Sequence, residues 1–279
     1  CIVPYTRGKQ RSRLPQDIIK EVEELVKDGY LEVTLLGQNV NAYGKDLKTN
    51  YNMANLLENV AKTQIQRIRF ITSHPWDFTD DMLDVIAKYD NIMPYIHLPI
   101  QSGSNRILKL MGRRYTKEEY ICLFNKIKNK IPNVSISTDI IVGFPNETEE
   151  DFQETLDIVN TLKFDLAYTF IYSKREGTPA AALEDNITLE TKNKRLQKLN
   201  NLVNKYAKEN NQKYLNKVVP VLIEGESAKK GKFFGYTDTM KLVNVKCDPS
   251  CVGKIINVKI KEIKTWSLDG DINNDWYQN

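Results

Sequence analysis

The sequence predicts an α/β protein with a parallel sheet or (β/α) barrel over residues 1–213, followed by a small all-β, OB-like barrel over 214–279. The first part is predicted because five short apolar runs alternate with longer amphipathic stretches. The second is predicted because the last segments alternate between apolar and polar residues, with polar turns and no helical pattern between them. A net charge of +4 permits a nucleic-acid partner without requiring one.

The five predicted strands of the first part are near-continuous apolar runs, as is typical of parallel strands buried on both faces. They are LEVTLLG (31–37), RIRFITS (67–73), YIHLPI (95–100), VSISTDIIVGF (134–144) and LAYTFIYS (166–173). Strand–helix alternation at this spacing favours right-handed crossovers, in either an open sheet or a barrel.

Helix signals lie between these strands. PQDIIKEVEELVKDG begins at Pro15 and stops at Gly29, both common boundary residues. Three later stretches each begin with a threonine that is predicted to cap the helix, at Thr79, Thr116 and Thr148, followed by acids. From residue 189 a long stretch rich in Lys and Asn predicts one helix with a solvated basic face.

The carboxy-terminal strands are predicted from four alternating segments. They are VVPVLIEGE (218–226), KFFGYTDT (232–239), KLVNVKC (241–247) and KIINVKIKEIKTWSL (254–268). Alternation places Val258, Ile260 and Ile263 inside the barrel and the lysines between them outside. We expect an antiparallel barrel, with no helix longer than two turns in 217–265.

Polar segments follow the predicted strands of the first part: GQNVNAYG, SHPWD, QSGS, GFPNET and SKREGTPA. In either α/β architecture the active site lies at the carboxyl ends of the strands. Glycine and proline are common in the loops of any protein, so their presence alone does not indicate an active site. The presence of His, Gln, Asp and Arg in the same segments favours an enzyme.

Four cysteines are too few for a disulfide-built fold, which favours a reducing cytoplasm. No apolar run reaches the roughly 20 residues that span a bilayer, so no membrane is expected. Cys122, in YICLF, is predicted to pack on the apolar face of a helix. The CDPSC spacing of Cys247 and Cys251 is interpreted as a structural coincidence rather than a metal or redox site.

Cys1 could not hold a metal alone. It could be a cloning accident or a lipidated residue, but Ile-Val-Pro-Tyr is no flexible polar tether. The sharper hypothesis makes Cys1 the last ligand of a cluster motif.

Six motifs resemble, in order, those of the radical S-adenosylmethionine methylthiotransferases. They are CIVPYTRGKQRSR, LLGQNVNAYG, ITSHPWDFTDDML, HLPIQSGSNRILKLMGRRYT, TDIIVGFPNETEEDF and YSKREGTPAA. The final VKIKEIKTWSLDGD is similar to the end of that family's TRAM domain, so the resemblance covers essentially the whole chain. HLPIQSGS with MGRRYT resembles the tRNA enzymes that act on isopentenylated adenosine 37, whereas the ribosomal-protein branch typically has DIPLQH there.

The resemblance implies a partial radical S-adenosylmethionine barrel that lacks its first strand, followed by a TRAM barrel. The family's cluster motif is CxxxCxxC, and Cys1 corresponds to its last cysteine. The implied cofactors are S-adenosylmethionine, a 4Fe-4S cluster and a second 4Fe-4S cluster in an amino-terminal domain. The chain is expected to be inactive alone, because that domain and two cluster cysteines are absent. An electron donor such as a flavodoxin and a monomeric state are also expected.

The resemblance further implies a shell of residues around S-adenosylmethionine at successive strand ends. Gly37, Gln38 and Asn39 would meet the methionyl amino group, Asp139 the ribose hydroxyls, and Arg175 the carboxylate. Gly143, Phe144 and Pro145 would meet the adenine, and the remaining members are His97, Gln101 and Ser173. The alternative for each residue is a hydrogen-bonded core or capping role.

Cations cluster beside the expected cluster loop. Arg7, Lys9, Arg11 and Arg13 precede the first acid, Asp17. With Arg113 and Arg114 they could form a basic path that contacts the phosphates of a tRNA anticodon stem-loop. The alternative is a solvated loop. For the whole chain the rival hypotheses are an RNA-binding module without chemistry and a ribosomal-protein methylthiotransferase.

Overall fold

The computed structural model describes residues 2–273, except for the side chain of Pro4. The five predicted strands of the first part are present, each shorter than its apolar run. They are β1 (Glu32–Leu35), β2 (Arg67–Phe70), β3 (Tyr95–His97), β4 (Ser135–Val142) and β5 (Leu166–Ile171). The helices are α1 (Val3–Arg7), α2 (Pro15–Lys27), α3 (Met53–Ala61), α4 (Asp80–Lys88), α5 (Asn105–Leu110), α6 (Lys117–Lys130), α7 (Glu149–Leu162) and α8 (Leu189–Asn211).

The predicted parallel pairing is confirmed. β1 pairs with β2, and β3, β4 and β5 form a second sheet in that order. A single parallel bridge between Ile68 and Ile92 joins the two sheets. The strands therefore follow one another around an incomplete barrel with the helices outside it.

Threonine caps explain where several helices begin. The side chains of Thr116 and Thr148 each accept a hydrogen bond from the backbone N–H of the third residue of the helix. The side chain of that third residue accepts a hydrogen bond from the backbone N–H of the threonine, which completes a capping box. Thr188 caps α8 in the same way but without the return bond. Thr79 occupies the N-cap position of α4, as predicted, but its side chain makes no capping hydrogen bond; the Met82 N–H donates to Oδ1 of Asp81 instead.

The two faces of the first five strands differ in character. Outward-facing residues such as Ile68, Phe70 and Ile136 are at most 1% exposed and pack against the helices. The alternating inward-facing residues are largely polar, because side chains two apart share a face of a strand. The barrel interior is therefore a polar space that opens at the carboxyl ends of the strands.

The carboxy-terminal part is a closed five-stranded barrel in the order β10-β8-β7-β6-β9. Its strands are β6 (Val218–Glu226), β7 (Phe233–Thr237), β8 (Leu242–Lys246), β9 (Ile255–Ile263) and β10 (Leu268–Ile272). Val258 and Ile260 are fully buried and Ile263 packs against the same core, as predicted. Between 217 and 265 the structure contains only a three-residue 3-10 turn, Pro249–Cys251, so the prediction of no longer helix is confirmed.

Two details of the barrel prediction are wrong. β10 pairs with β8 in parallel, because an odd number of strands cannot alternate direction all the way around a closed barrel. The predicted segment 254–268 is also not one strand. It turns at 264–267, where the Lys264 N–H donates to the Ser267 carbonyl, and continues as β10.

Buried arginines of β2 join the two parts of the chain. Arg67 donates to the carbonyls of Tyr236 and Pro220, at 3.0 Å each, and Arg69 donates to those of Thr237 and Asp238 at 2.7 and 2.8 Å. Since Arg67 is the first residue of β2, the small barrel covers the amino ends of the strands.

The cysteines differ in part from prediction. Cys122 is exposed, so its predicted packing role is wrong. The apolar stripe of α6 is formed by Tyr120, Phe124 and Ile127 at helical spacing, and position 122 lies off it. Cys247 and Cys251 are half-buried against the core of the small barrel.

No helix in the described part of the chain is long and apolar enough to cross a bilayer.

Candidate active site at the strand ends

A histidine–aspartate pair lies in the barrel interior. His97 ends β3 and its Nε2 lies 3.4 Å from Oδ2 of Asp139 on β4. The register pairs His97 with Ser137, so Asp139, two residues further on, shares the same face. The Oγ of Ser137 lies 2.9 Å from Nδ1 of His97 and 2.7 Å from the hydroxyl of Tyr95. The histidine is thus oriented from both ring nitrogens.

The pair is accessible from the barrel interior. The side chain of His97 is 16% exposed and that of Asp139 is 28% exposed. Tyr168, which is opposite Asp139 on β5, places its ring edge-on to His97 at 5.9 Å. Burial and the Asp139 carboxylate raise the pKa of Tyr168. Asp139 therefore presents a hydrogen-bond acceptor inside a partly aromatic, partly desolvated space.

Gln101 follows the same pair of strands. Its N–H donates to the Asp139 carbonyl at 2.8 Å, and its carbonyl accepts from Ile141 at 2.9 Å. The residue is buried and has φ of 72°, in the left-handed region that non-glycine residues seldom adopt. The structure therefore brings Gln101 next to Asp139 through the backbone.

The loop after β1 borders a cavity of about 880 Å3. Gly37, Gln38 and Asn39 line one side of this cavity, and residues 7–13 line another. Asn39 Nδ2 donates to the carboxylate of Asp77, which also pairs with Lys45. The Oδ1 of Asn39 is buried and has no hydrogen-bond partner within residues 2–273. An unpaired acceptor beside a cavity is suited to a ligand that carries N–H groups.

The predicted cations Arg7, Lys9, Arg11 and Arg13 all line that cavity and are exposed. Arg13 forms an ion pair with Glu21 at 2.6 Å, with both side chains more than half exposed. No ion pair within the described residues involves the other three cations. Their charge is therefore directed to solvent at the cavity mouth.

The loop after β4 is held tightly. The Gly143 N–H donates to Oε2 of Glu147 at 2.8 Å, and Arg195 of α8 pairs with the same oxygen at 2.9 Å. Gly143 has φ of 69°, and an added Cβ would come within 2.5 Å of the Lys192 side chain. Phe144 is buried edge-on to Tyr172 at 5.0 Å. The backbone here is fixed by contacts with α8.

No side-chain hydrogen bond or ion pair within residues 2–273 joins the remaining predicted residues to the histidine–aspartate pair. Pro145 is buried in the loop after β4, and Ser173 and Arg175 are exposed after β5. No side-chain hydrogen bond within residues 2–273 joins Arg175 to Asp139. The structure thus brings His97, Gln101 and Asp139 together. Gly37, Gln38 and Asn39 line the cavity that the cations also line. Arg175 lies at the rim.

An aromatic stack near the rim was missed. The His74 ring lies 4.5 Å from that of Trp76, whose ring lies 5.8 Å from that of Tyr115. Burial, with a smaller effect from Arg113, lowers the pKa of His74. Arg113 is half-buried in this group, whereas Arg114 is exposed. The motifs SHPWD and MGRRYT both indicated polar loops in the sequence. The contact between these two loops could not be predicted, because it depends on tertiary structure.

No metal site can be built from residues 2–273, which contain no group of three Cys, His, Asp or Glu side chains placed to hold an ion. Cys1, the predicted cluster ligand, lies outside the described residues. Burial, together with the neighbouring Cys251, raises the pKa of Cys247 to about 11, so this thiol is protonated at neutral pH.

Curated relatives match nearly all of this chain. It is 56% identical over 272 residues to tRNA-2-methylthio-N(6)-dimethylallyladenosine synthase from Staphylococcus epidermidis, covering 97% of this chain and 53% of that protein. The protein of the same name from Shouchella clausii is 57% identical over 273 residues, covering 98% and 52%. The chain therefore spans about half the length of the curated relatives it matches.

Two solved structures share the fold at low identity. TsrM from Kitasatospora setae, a radical S-adenosylmethionine methyltransferase, gives a TM-score of 0.50 at 17% identity, covering 62% of this chain and 33% of that one. HemN from Escherichia coli, a coproporphyrinogen III oxidase and radical SAM enzyme, gives 0.50 at 19%, covering 71% and 48%.

The family comparison agrees with this fold. A TRAM domain model matches residues 212–272, which include the closed barrel. The model of the radical SAM superfamily matches residues 1–159, more than half of the chain. This chain therefore belongs to the radical SAM superfamily and carries a TRAM domain after its α/β part.

Proposed function

We propose that this chain forms part of a tRNA methylthiotransferase that adds a methylthio group to C2 of isopentenylated adenosine 37. The proposal is carried by one geometric observation: an accessible histidine–aspartate pair inside the barrel opens toward the same strand ends as a cavity bordered by exposed cations. The names of relatives that are 56–57% identical over 97–98% of this chain support the substrate.

Membership of the superfamily implies a 4Fe-4S cluster and S-adenosylmethionine, which together supply radical chemistry when bound. The strand ends suit the polar groups of S-adenosylmethionine, because Asn39 offers an unpaired buried acceptor and Asp139 an accessible one. We assign Asp139 to the ribose hydroxyls, Gly37, Gln38 and Asn39 to the methionyl amino group, and Arg175 to its carboxylate. The other proposed members of this shell are His97, Gln101, Gly143, Phe144, Pro145 and Ser173.

The chain's own residues would position and shield the reacting groups. His97, oriented by Ser137, fixes the Asp139 carboxylate, and the rings of Tyr95 and Tyr168 limit water around it. The loop at Gly143 is held by α8, so its backbone can present a fixed surface to the adenine. Such pre-organisation limits the entropy lost when the cofactor is ordered.

The cluster would take Cys1 as one of three ligands. The other two belong to the CxxxC part of the family motif, and a second 4Fe-4S cluster is proposed for the amino-terminal domain of the longer relatives. We therefore propose activity for a chain that includes those segments, supplied with electrons by a donor such as a flavodoxin. A monomer in the cytoplasm is the proposed state.

The tRNA anticodon stem-loop is the proposed partner. Phosphates would be neutralised at the cavity mouth by Arg7, Lys9 and Arg11. Arg13 would do the same once its ion pair with Glu21 is broken. Arg113 and Arg114 would extend this path past the aromatic stack. The main rival, an RNA-binding module without chemistry, gives no reason for a histidine–aspartate pair inside the barrel.

Cofactor binding tests the proposed roles. In a chain extended upstream through CxxxCxxC and reconstituted anaerobically with iron and sulfide, Asp139→Ala should weaken S-adenosylmethionine binding by roughly 10- to 100-fold, because it removes hydrogen bonds to a charged acceptor. Asp80→Ala, at an exposed carboxylate on α4, is the matched control and should change little. Equal affinities for the wild type and Asp139→Ala would overturn the ribose assignment. Reconstituted protein that neither binds nor cleaves S-adenosylmethionine would favour the binding module.

A further inference from the structure

A second cavity borders the loop after β1. It measures about 360 Å3, and its wall includes Asn41, Tyr43 and Trp76. Tyr43 also lines the larger cavity described above, so the two cavities are neighbours. Small-ligand sites typically measure about 300–1,000 Å3, a range that includes this cavity. None of the residues assigned above to S-adenosylmethionine, all within residues 2–273, lines the second cavity, which we call the Asn41 cavity.

The amide of Asn41 is buried and unpaired. Asn41 is 6% exposed, and neither its Oδ1 nor its Nδ2 has a hydrogen-bond partner within residues 2–273. Buried polar groups in folded proteins are nearly always paired, so this amide is suited to a ligand that supplies its partners. The last side-chain torsion of asparagine rotates over a broad range, so the amide can turn its edge toward the cavity. It then presents one donor beside one acceptor.

Aromatic rings form part of the same wall. Tyr43 and Tyr51 lie edge-on, with 6.4 Å between their ring centres. The Tyr43 hydroxyl donates to the carbonyl of Arg13 at 2.8 Å, and the Tyr51 hydroxyl accepts from Nδ2 of Asn59 at 2.7 Å. Both hydroxyls are therefore paired within the protein. Because the two tyrosines are only half-buried, part of each ring is available to contact a planar ligand.

The charge that lines the Asn41 cavity is balanced. Lys45 and Asp77 are the only charged residues among those that line it, and they form an ion pair with each other. A metal ion or an isolated phosphate would bring an uncompensated charge to this wall. A neutral, planar ligand with a donor beside an acceptor fits the wall better, and such edges are typical of nucleobases.

The basic amino-terminal segment is attached to the loop that borders the cavity. Gln10 Nε2 donates to the Ala42 carbonyl at 2.6 Å. The N–H and Oγ of Ser12 donate to the carboxylate of Asp46 at 2.7 and 2.5 Å, and the Gly44 N–H donates to Ser12 Oγ at 3.0 Å. These contacts hold the exposed cations of residues 7–13 beside the cavity. A base bound in the cavity would therefore have its neighbouring phosphates in a basic environment.

We infer that the Asn41 cavity binds an unpaired base of the substrate RNA other than adenosine 37, with the base edge paired to Asn41 and its face against the tyrosine rings. Proteins recognise single-stranded RNA by this combination of stacking and hydrogen bonds to base edges. Asparagine forms two hydrogen bonds with adenine, whose edge carries a donor beside an acceptor, so adenine fits best. The inference rests on the proposed tRNA substrate and adds a site for a second base.

Binding to the full 279-residue chain tests the edge contact. The probe is a fluorescein-labelled anticodon stem-loop carrying isopentenyladenosine at position 37, and the readout is fluorescence anisotropy. Asn41→Leu, which keeps the approximate size of the side chain, should weaken binding by roughly 5- to 150-fold, the effect of losing one pair of hydrogen bonds to a base. Asn125→Leu, at an exposed asparagine on α6, is the matched control and should leave the affinity unchanged.

Thermal unfolding separates this role from a structural one. Because Asn41 makes no side-chain hydrogen bond within residues 2–273, Asn41→Leu should melt at no lower temperature than the wild type. A clear decrease in melting temperature would show that the amide is paired within the protein, which would contradict the inference. If the wild type binds the stem-loop and folded Asn41→Leu binds it equally well, only this inference fails. If the wild type binds no stem-loop, the proposed tRNA partner fails with it.

Abasic nucleotides identify the bound base. At one loop position other than 37, an abasic nucleotide should weaken binding to the wild type more than binding to Asn41→Leu, because the edge contact is already missing in the variant. Equal effects on both proteins at every loop position would contradict a direct contact.

A free nucleotide is the other source of the same chemistry. Titration calorimetry with adenosine monophosphate distinguishes it from the RNA. If the nucleotide binds to the wild type but not to Asn41→Leu, while both proteins bind the stem-loop equally well, the cavity is a free-nucleotide site and the RNA assignment is wrong. Wild-type protein that binds the stem-loop more tightly than Asn41→Leu does, with no binding of the free nucleotide, is the result we expect.

Discussion

Replacing Arg69 by methionine should strongly weaken the junction between the two parts of the chain. Arg69 is 4% exposed, and its guanidinium donates to the carbonyls of Thr237 and Asp238 at 2.7 and 2.8 Å. Its Nε also lies 2.9 Å from Oε1 of Glu32, whose side chain is only 16% exposed. Methionine keeps much of the aliphatic stem but removes these polar interactions.

The expected destabilisation follows from these interactions. A hydrogen bond from a charged donor contributes about 1.5–3 kcal/mol, and breaking a buried ion pair costs about 3–5 kcal/mol because one charge is left unpaired. The interactions are not additive, since they share one guanidinium. We therefore expect Arg69→Met to lower the free energy of unfolding by about 3–5 kcal/mol, which corresponds to roughly 6–20 °C in melting temperature.

Scanning calorimetry measures this destabilisation. Arg13→Met is the matched control, because the Arg13–Glu21 pair is exposed and such pairs contribute only about 0–1 kcal/mol. Arg69→Met should also separate the melting of the small barrel from that of the α/β part. A decrease no larger than that of Arg13→Met, with a single transition retained, would show that the buried arginine does not hold the two parts together.

Three further predictions concern charge and cluster chemistry. Reversing the charge of Arg11 and Arg13 together should weaken anticodon stem-loop binding and flatten its salt dependence, because phosphate contacts release counterions; an unchanged salt slope would show that they do not touch RNA. Burial lowers the pKa of Lys241 to about 8, although Asp165 opposes this shift. Because the folded state disfavours the charged amine, the wild type should become more stable relative to Lys241→Met as pH rises from about 8 to 10.5. The difference between their melting temperatures should therefore change in favour of the wild type over this range. A difference that stays constant would contradict the burial effect. Anaerobic reconstitution of the 279-residue chain should give no stoichiometric 4Fe-4S cluster by absorbance and iron analysis, because Cys1 is its one cysteine from the motif; a stable cluster would refute that ligand assignment.

Strand positions could be predicted because buried parallel strands leave continuous apolar runs in a sequence. Their ends could not, because they depend on tertiary pairing. The run 95–100 continues past β3, but the chain leaves the regular register before Gln101, which rejoins β4 with a positive φ. The prediction also missed α3, whose capping box uses Asn52 and Asn55 instead of the more familiar threonine and glutamate.

The junction between the two parts left little signal in the sequence. Arg67 and Arg69 alternate with apolar residues in RIRF, a pattern that is equally typical of a strand with one solvated face. Their acceptors are backbone carbonyls 153–169 residues away, which no local pattern could reveal.

The histidine–aspartate pair was partly accessible to sequence reasoning. Parallel neighbours place residues after adjacent strands at one edge, so His97 and Asp139 were expected on the same rim. Their separation of 3.4 Å depends on the register of β3 against β4, and the orienting role of Ser137 follows from the same register. The cofactor and RNA roles of these residues remain predictions.

Nucleoside mass spectrometry of tRNA tests the central claim most directly. The chain, extended to include CxxxCxxC and the amino-terminal domain, would be incubated anaerobically with S-adenosylmethionine, a reductant and tRNA carrying isopentenyladenosine at position 37. We predict that this nucleoside is converted to its 2-methylthio derivative, and that Asp139→Ala greatly reduces the conversion. Two results would contradict the account, each with isopentenyladenosine left unmodified. In the first, an added ribosomal protein gains a methylthio group. In the second, S-adenosylmethionine is not consumed.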